Sequence, residues 1–214
     1  MRGEVASRRP GRPTGQTGDK TRERIVLAAV ESFGKRGLAG TSVRDIAHRS
    51  RIRVSTLYHY FPSKMELYRE VQGRVHDEVR SIVLEQLARG LPLAELVREV
   101  VGRVFDFFLS HRTFLQLGCR TAVEPTLAGD GDSPLRERWL GLIEGMLKPA
   151  TERGEVKDID PIHLMVTIDA LVHWHIVNEP LYKRLLGKGF DDPDVVERTR
   201  AHVVNVALRT LGLE

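Results

Sequence analysis

Helix starts are written into this chain with regularity, and they constrain its fold more than any other feature. Ser133-Pro134, Asp160-Pro161 and Asp192-Pro193 each place a side-chain acceptor immediately before a proline. The acceptor takes up a free amide of the first turn, and proline at the first helical position gives up an amide that has no partner there anyway. Between such starts, apolar residues recur at three- and four-residue spacing, which is the period of a helix with one buried face. We expect helices near 63–89, 92–111, 113–124, 134–153, 161–177 and 193–211, with a short one after Asn178. Pro149 should kink or shorten its helix, and Gly129-Asp130-Gly131-Asp132 reads as a loop. No segment holds a credible strand pattern. The expected fold class is therefore all-α, with about nine helices.

The front of the chain has its own layout. Residues 1–18 are rich in Arg, Pro, Gly and Ser, lack periodicity, and read as a disordered basic arm. Asp19 is placed to cap a helix whose buried face is Ile25, Ala28, Ala29, Ser32 and Phe33, and Gly37 is placed to end it in the left-handed conformation. Ser42 and Asp45 have capping-box spacing and open a second, short helix with Val43, Ile46 and Ala47 on its apolar side. Ser63 and Glu66 repeat that spacing at the start of a later helix.

Between them runs VSTLYHYFPSK, Val54 to Lys64. Its residue types favour a strand, but a strand would leave neither face cleanly polar. A helix groups Val54, Leu57, Tyr58 and Phe61, and turns Ser55, Thr56, His59 and Tyr60 outward. Pro62 disfavours continuation beyond Phe61. On this reading Tyr58 keeps its ring on the buried face and only its hydroxyl emerges. Two short helices joined by the turn Ser50-Arg51-Ile52-Arg53 have the layout of a helix-turn-helix.

Charge supports a polyanion partner for this front segment. Residues 1–64 hold 14 Lys/Arg against 5 Asp/Glu, a balance of +9, whereas the remainder holds 19 against 24, a balance of −5. No apolar run approaches the roughly 18–20 residues that cross a bilayer, and the N-terminal stretch has no apolar core of a secretory signal. The single cysteine, Cys119, excludes an internal disulfide and suits a reducing cytosol.

These residues resemble the tetracycline-repressor (TetR) family of bacterial transcription regulators. The match runs from Thr21 to Leu67. It is carried by Ile25, Ala28-Ala29, Phe33, Gly37, Thr41-Ser42-Val43, Ile46-Ala47, Leu57-Tyr58-His59-Tyr60-Phe61, Ser63-Lys64 and Leu67. The resemblance implies a DNA-binding domain over 19–66 made of three helices with a helix-turn-helix. It also implies a helical effector-binding and dimerisation domain over 67–214, with a homodimer built by the last two long helices. The expected function is that of a sequence-specific regulator, chiefly a ligand-released repressor on a pseudo-palindromic operator, with activation as the alternative. Expected partners are double-stranded DNA and a small, largely apolar effector. No cofactor, catalytic residue, metal or membrane is implied, and the location is the cytoplasm, at the bacterial nucleoid. One departure stands out. Where the family usually reads Ala-Gly-Val-Ser, this chain has Ser50-Arg51-Ile52-Arg53, so arginines replace the turn glycine and the helix cap.

Candidate DNA contacts follow. Ser55, Thr56 and His59 are short enough to approach base edges, and Arg53 suits a bidentate contact to guanine. Tyr58, Tyr60 and Lys64 correspond to family positions on the sugar-phosphate backbone. Thr41, Ser42 and Arg44 sit at a helix N-terminus, and Arg51 adds charge beside it. The arm's Gly11-Arg12-Pro13 is similar to the centre of minor-groove AT-hook peptides, or else is a solvated tail.

In the rear domain, Phe105, Phe108, Leu117, Trp139, Ile143 and Met146 could line an effector cavity, with Arg112, Arg120 or His173 as polar handles. Helix 161–177 is apolar on several faces, which predicts burial on more than one side. A metalloenzyme is the rival reading, from His163, Asp169, His173, His175 and His202. Asp169 and His173 share a face, but His173 and His175 point roughly 200° apart and no H-E-x-x-H spacing occurs.

Overall fold

The computed structural model describes residues 15–123 and 134–213. Ten α-helices occur among them: α1 Gly15–Arg36, α2 Val43–Arg49, α3 Val54–Tyr60, α4 Lys64–Leu87, α5 Leu93–Ser110, α6 Arg112–Val123, α7 Pro134–Glu152, α8 Pro161–Val177, α9 Glu179–Leu186 and α10 Pro193–Leu211. No strand occurs among the described residues. The chain divides into two compact units, Met1–Val71 and Gln72–Glu214, with the division inside α4.

The capping logic holds at most of these starts. Ser42 accepts from the Asp45 amide at 3.1 Å, Ser63 from Glu66 at 3.1 Å, Asp160 from His163 at 2.9 Å and Asp192 from Asp194 at 2.9 Å. Gly37 adopts φ 71° after α1, where an L side chain would be strained. The ten helices among the described residues agree with the expected all-α fold of about nine. One expectation at the front needs correction. Asp19 caps nothing, because α1 begins at Gly15, so residues 15–18 of the expected arm are helical. Gly15 and Gly18 weaken the local helix signal, yet Tyr60 packs here, its Oη 3.7 Å from where a Gly18 Cβ would stand. Pro149 lies inside α7, which runs on to Glu152. The remainder of the expected arm, with Gly11-Arg12-Pro13, the loop at 129–132 and the cap at Ser133 fall outside the described residues.

In the first unit α1, α2, α3 and the start of α4 enclose Ile25, Ala29, Phe33, Ile46, Leu57 and Leu67, all fully buried. Tyr68 meets Phe33 edge-to-face at 5.0 Å between centroids. In the second unit α5 and α10 form the principal packing pair, with Phe105, Val203, Ala207 and Leu208 in the core. Gly102 gives Arg200 room to lie across α5, where its Nε reaches the Asp106 carboxylate at 3.1 Å and 3.2 Å.

Helix α8 is not buried on more than one side within the chain. Leu164, Val172 and Ile176 face the core, but Ile162, Val166, Trp174 and Val177 are exposed, Trp174 at 68%. The neighbouring α9 has no buried residue and exposes Leu181, Leu185 and Leu186. Among the described residues, packing partners reach only one flank of α8, and its second apolar face is exposed.

Candidate nucleic-acid interface

The turn between α2 and α3 is built by hydrogen bonds that begin in α1. Ser50 is buried, and its hydroxyl donates to the Ile46 carbonyl at 2.7 Å. The Arg24 guanidinium donates to the Ser50 carbonyl, which ties the turn to α1. Arg51 then takes φ 53°, the left-handed region, and is the single non-glycine residue among those described to do so. Its amide donates to His48 O at 3.0 Å, and the Ile52 amide to Ala47 O at 3.0 Å. An L side chain in this region costs roughly 1–2 kcal/mol. The conformation is the one in which the family's glycine would be unstrained.

Helix α3 starts at Val54 with Arg53 at its N-cap, extended and without a side-chain hydrogen bond to the helix. The guanidinium cannot accept an amide hydrogen, so the cap side chain gives the first-turn N–H donors no acceptor. Leu57 and Phe61 point into the three-helix core, whereas Ser55, Tyr58 and His59 are exposed and Thr56 and Tyr60 are half-buried. Tyr58 departs from its expected place. At 46% exposure its ring stands outside the core, while Tyr60 leans toward α1. A helix of seven residues presents only a narrow wedge to its neighbours, and Leu57 and Phe61 fill it.

The flanking residues fall into two groups. Ser42, Arg44, Arg51 and Arg53 are exposed. Thr41 is buried, its hydroxyl hydrogen lying between Gly37 O at 2.8 Å and Ser32 O at 3.0 Å. Lys64 donates from Nζ to Leu38 O at 2.8 Å and to Thr41 O at 3.0 Å, which leaves one of its three hydrogens for another acceptor. Arg36 and Arg49 are held by Asp45 and Glu31 at 3.4 Å and 3.3 Å. Arg22 stands over the Phe61 ring at 5.2 Å and pairs with Glu70 at 2.8 Å. The bracing by Arg24 was not legible in sequence, since 26 residues separate it from Ser50 and no periodicity links them.

The residues expected around an effector cavity occupy several settings in the second unit. Phe105, Phe108, Leu117 and Ile143 are buried. Trp139 and Arg120 are half-buried. Met146 lines a groove of about 480 Å³ with Leu87, Leu91, Leu96 and Ala150, edged by Arg153 and Glu155. Arg112 is paired with Glu179, whose other oxygen accepts from the Phe190 amide at 3.0 Å. His173 is paired with Asp169 at 3.1 Å. Of the remaining histidines, His163 pairs with Asp160 at 3.2 Å, and His175 Nδ1 meets the Tyr182 hydroxyl at 2.6 Å. Among the described residues no three His, Cys, Asp or Glu side chains form a group able to hold a metal ion, and no helix is long and apolar enough to cross a membrane.

Two family models match. One, bacterial regulatory proteins of the tetR family, covers residues 25–71; the other, the tetracyclin repressor-like C-terminal domain, covers residues 94–206. The HTH-type transcriptional repressor NicS of Pseudomonas putida is 24% identical over 201 residues, spanning 92% of this chain and 94% of that protein. The HTH-type transcriptional regulator EthR of Mycobacterium tuberculosis is 28% identical over 166 residues, 75% of this chain and 74% of its own. The A-factor receptor protein of Streptomyces griseus is 31% identical over 139 residues, which are 64% of this chain and 47% of that protein. A TetR-like transcriptional regulator from Rhodococcus sp. RHA1 shares the fold at a TM-score of 0.64, with 22% identity, over 91% of this chain and 97% of that one.

Proposed function

The chain belongs to the tetR family of bacterial regulatory proteins, and from that premise we propose that it is a ligand-released repressor acting on a pseudo-palindromic operator as a homodimer. The observation that carries the reading is the exposed surface of α3 and its turn, where Ser55, Tyr58 and His59 stand beside Arg51 and Arg53. Helix α3 enters the major groove. Ser55, Thr56 and His59 meet base edges, and Arg53 reads guanine in the bidentate manner. Tyr58, Tyr60, Arg44, Arg51 and Lys64 hold phosphates or sugars, as do the Ser42 side chain and the backbone at Thr41. These contacts set register as well as affinity.

The exposed apolar face of α8 supports the homodimer. A second copy would cover Ile162, Val166, Trp174 and Val177, with α10 beside them, and remove from water a face that this chain leaves open. Two recognition helices then reach successive major grooves about one helical turn apart. An apolar effector bound in the second unit shifts the protein toward a form with lower operator affinity, by no more than its differential affinity for the two forms. Repression is favoured over activation because several relatives bear the name of repressor. The cell compartment is the cytoplasm, at the nucleoid.

The test is fluorescence anisotropy of the full chain with DNA from upstream of its own gene and with shuffled DNA of equal length. A preference for the upstream DNA, with a footprint of two half-sites, is expected. Equal affinity for both at physiological salt would sink the reading.

A further inference from the structure

The open side of α8 carries a stripe with a period of its own. Alternating steps of three and four residues lead from Asp160, through Ala170 and Trp174, to Arg184 on α9, and each of the eight positions reached is exposed. A mean step of 3.5 residues is that of a left-handed coiled-coil seam, in which a side chain of one helix enters a hole on the facing one. One residue, Asn178, separates α8 from α9, and its carbonyl still accepts from the Tyr182 amide at 3.3 Å. The largest member of the stripe, Trp174, is 68% exposed, and the smallest, Ala170, lies one turn before it. The two ends carry opposite charges, Asp160 at one and Arg184 at the other.

We propose that a second copy of this chain pairs with the stripe antiparallel, in the register that sets Ala170 of one copy against Trp174 of the other. The inference rests on the homodimer reading above and adds which residues meet. Parallel pairing would set like against like: Trp174 would meet its own mate with no small residue facing it, and Asp160 and Arg184 would each meet a like charge. Antiparallel pairing keeps the seam closed only at slips of a whole heptad. In the proposed register Thr167 faces Val177 of the second copy, His163 faces Leu181 and Asp160 faces Arg184. All eight positions are then used, and the charged ends attract. A slip one way sets Trp174 against His163 and leaves Leu181 and Arg184 unopposed. A slip the other way sets Trp174 against Val177 and leaves Asp160 and His163 unopposed. Only the central register gives the large ring a hole left by a small residue, and two-fold symmetry makes that fit twice.

The test is sedimentation equilibrium of the full chain, with Ala170→Trp, Trp174→Ala and the two together. Both positions are exposed, so circular dichroism should report wild-type helix content in all three. Each single variant should raise the dimer dissociation constant by roughly thirtyfold or more, one by overfilling the hole and the other by emptying it. The combined variant exchanges ring and hole within one layer, so it should return to within about threefold of wild type. A cysteine pair reads the same register. In a Cys119→Ser chain, Thr167→Cys with Val177→Cys should give a disulfide-linked dimer on mild oxidation, and Ala170→Cys with Leu181→Cys should not. Single variants that stay weak when combined overturn the register, as does linkage of the second cysteine pair alone. An Ala170→Trp chain with an undiminished dimer overturns the α8 pairing and leaves the homodimer reading standing. A wild-type chain that sediments as a monomer at a concentration on the order of 10 μM overturns the homodimer reading itself.

Discussion

Lys64 donates to the carbonyl oxygens of both Leu38 and Thr41, at 2.8 Å and 3.0 Å, and so fastens the start of α4 to the segment between α1 and α2. A residue expected at the phosphate backbone is thus also a brace of the domain that carries the recognition helix. The two roles separate experimentally. Lys64→Ala should destabilise the chain by about 1–3 kcal/mol in urea unfolding, because two carbonyls lose a charged donor. It should also flatten the salt slope of DNA binding by about one unit. Loss of stability with an unchanged slope would remove Lys64 from the DNA contacts.

Arg51 and Arg53 make opposite predictions about specificity. Arg51→Gly relieves a left-handed side chain at roughly 1–2 kcal/mol, against which the freer unfolded glycine costs about 0.4–1 kcal/mol. The variant should therefore melt at the same or a slightly higher temperature, while binding all DNA sequences more weakly. Arg53→Ala should instead lose about 1–3 kcal/mol of discrimination at one base position. A selection experiment over randomised half-sites reads both. An Arg53→Ala variant that weakens on every sequence equally would assign Arg53 to phosphate.

Trp174 is the natural anchor for a second copy, since a large ring at 68% exposure is a poor surface residue and a good interface centre. Trp174→Glu should move the chain from dimer to monomer in sedimentation equilibrium and lower operator affinity, with helix content by circular dichroism unchanged. A variant that remains dimeric would place the interface elsewhere.

The histidines give opposed pH dependences. His173 has a raised folded value, so its contribution to stability is fully present below the unfolded value near 6.5 and fades as pH rises through the folded one. His76 and His175 are lowered, burial being the main cause in each, with His202 adding to it at His175. Their contribution is present above the unfolded value and fades as pH falls through the folded one. Asp169→Asn removes the charge that favours protonated His173. Its melting temperature should therefore fall furthest below wild type in mildly acidic buffer, and the gap should close toward pH 8. A gap independent of pH would mean that Asp169 acts by packing alone.

Sequence by itself determined the helices and the family. Acceptor-proline starts, a left-handed glycine at Gly37 and three- and four-residue apolar spacing are local signals, decided by backbone amides within one turn. They placed α4 to α10 within a few residues of their observed bounds. Local signals also separated Leu57 and Phe61 from the outward Ser55 and His59. Tertiary structure decided what depends on which chain segment arrives from far away. The Arg24 bond to Ser50, the turn of Tyr58 outward and the inward Thr41 hydroxyl all depend on how α1 lies against the short helices. The open face of α8 has the same origin in the second unit. Hydropathy predicted burial of that helix on more than one side, but among the described residues neighbours reach one flank and leave Ile162, Val166, Trp174 and Val177 exposed.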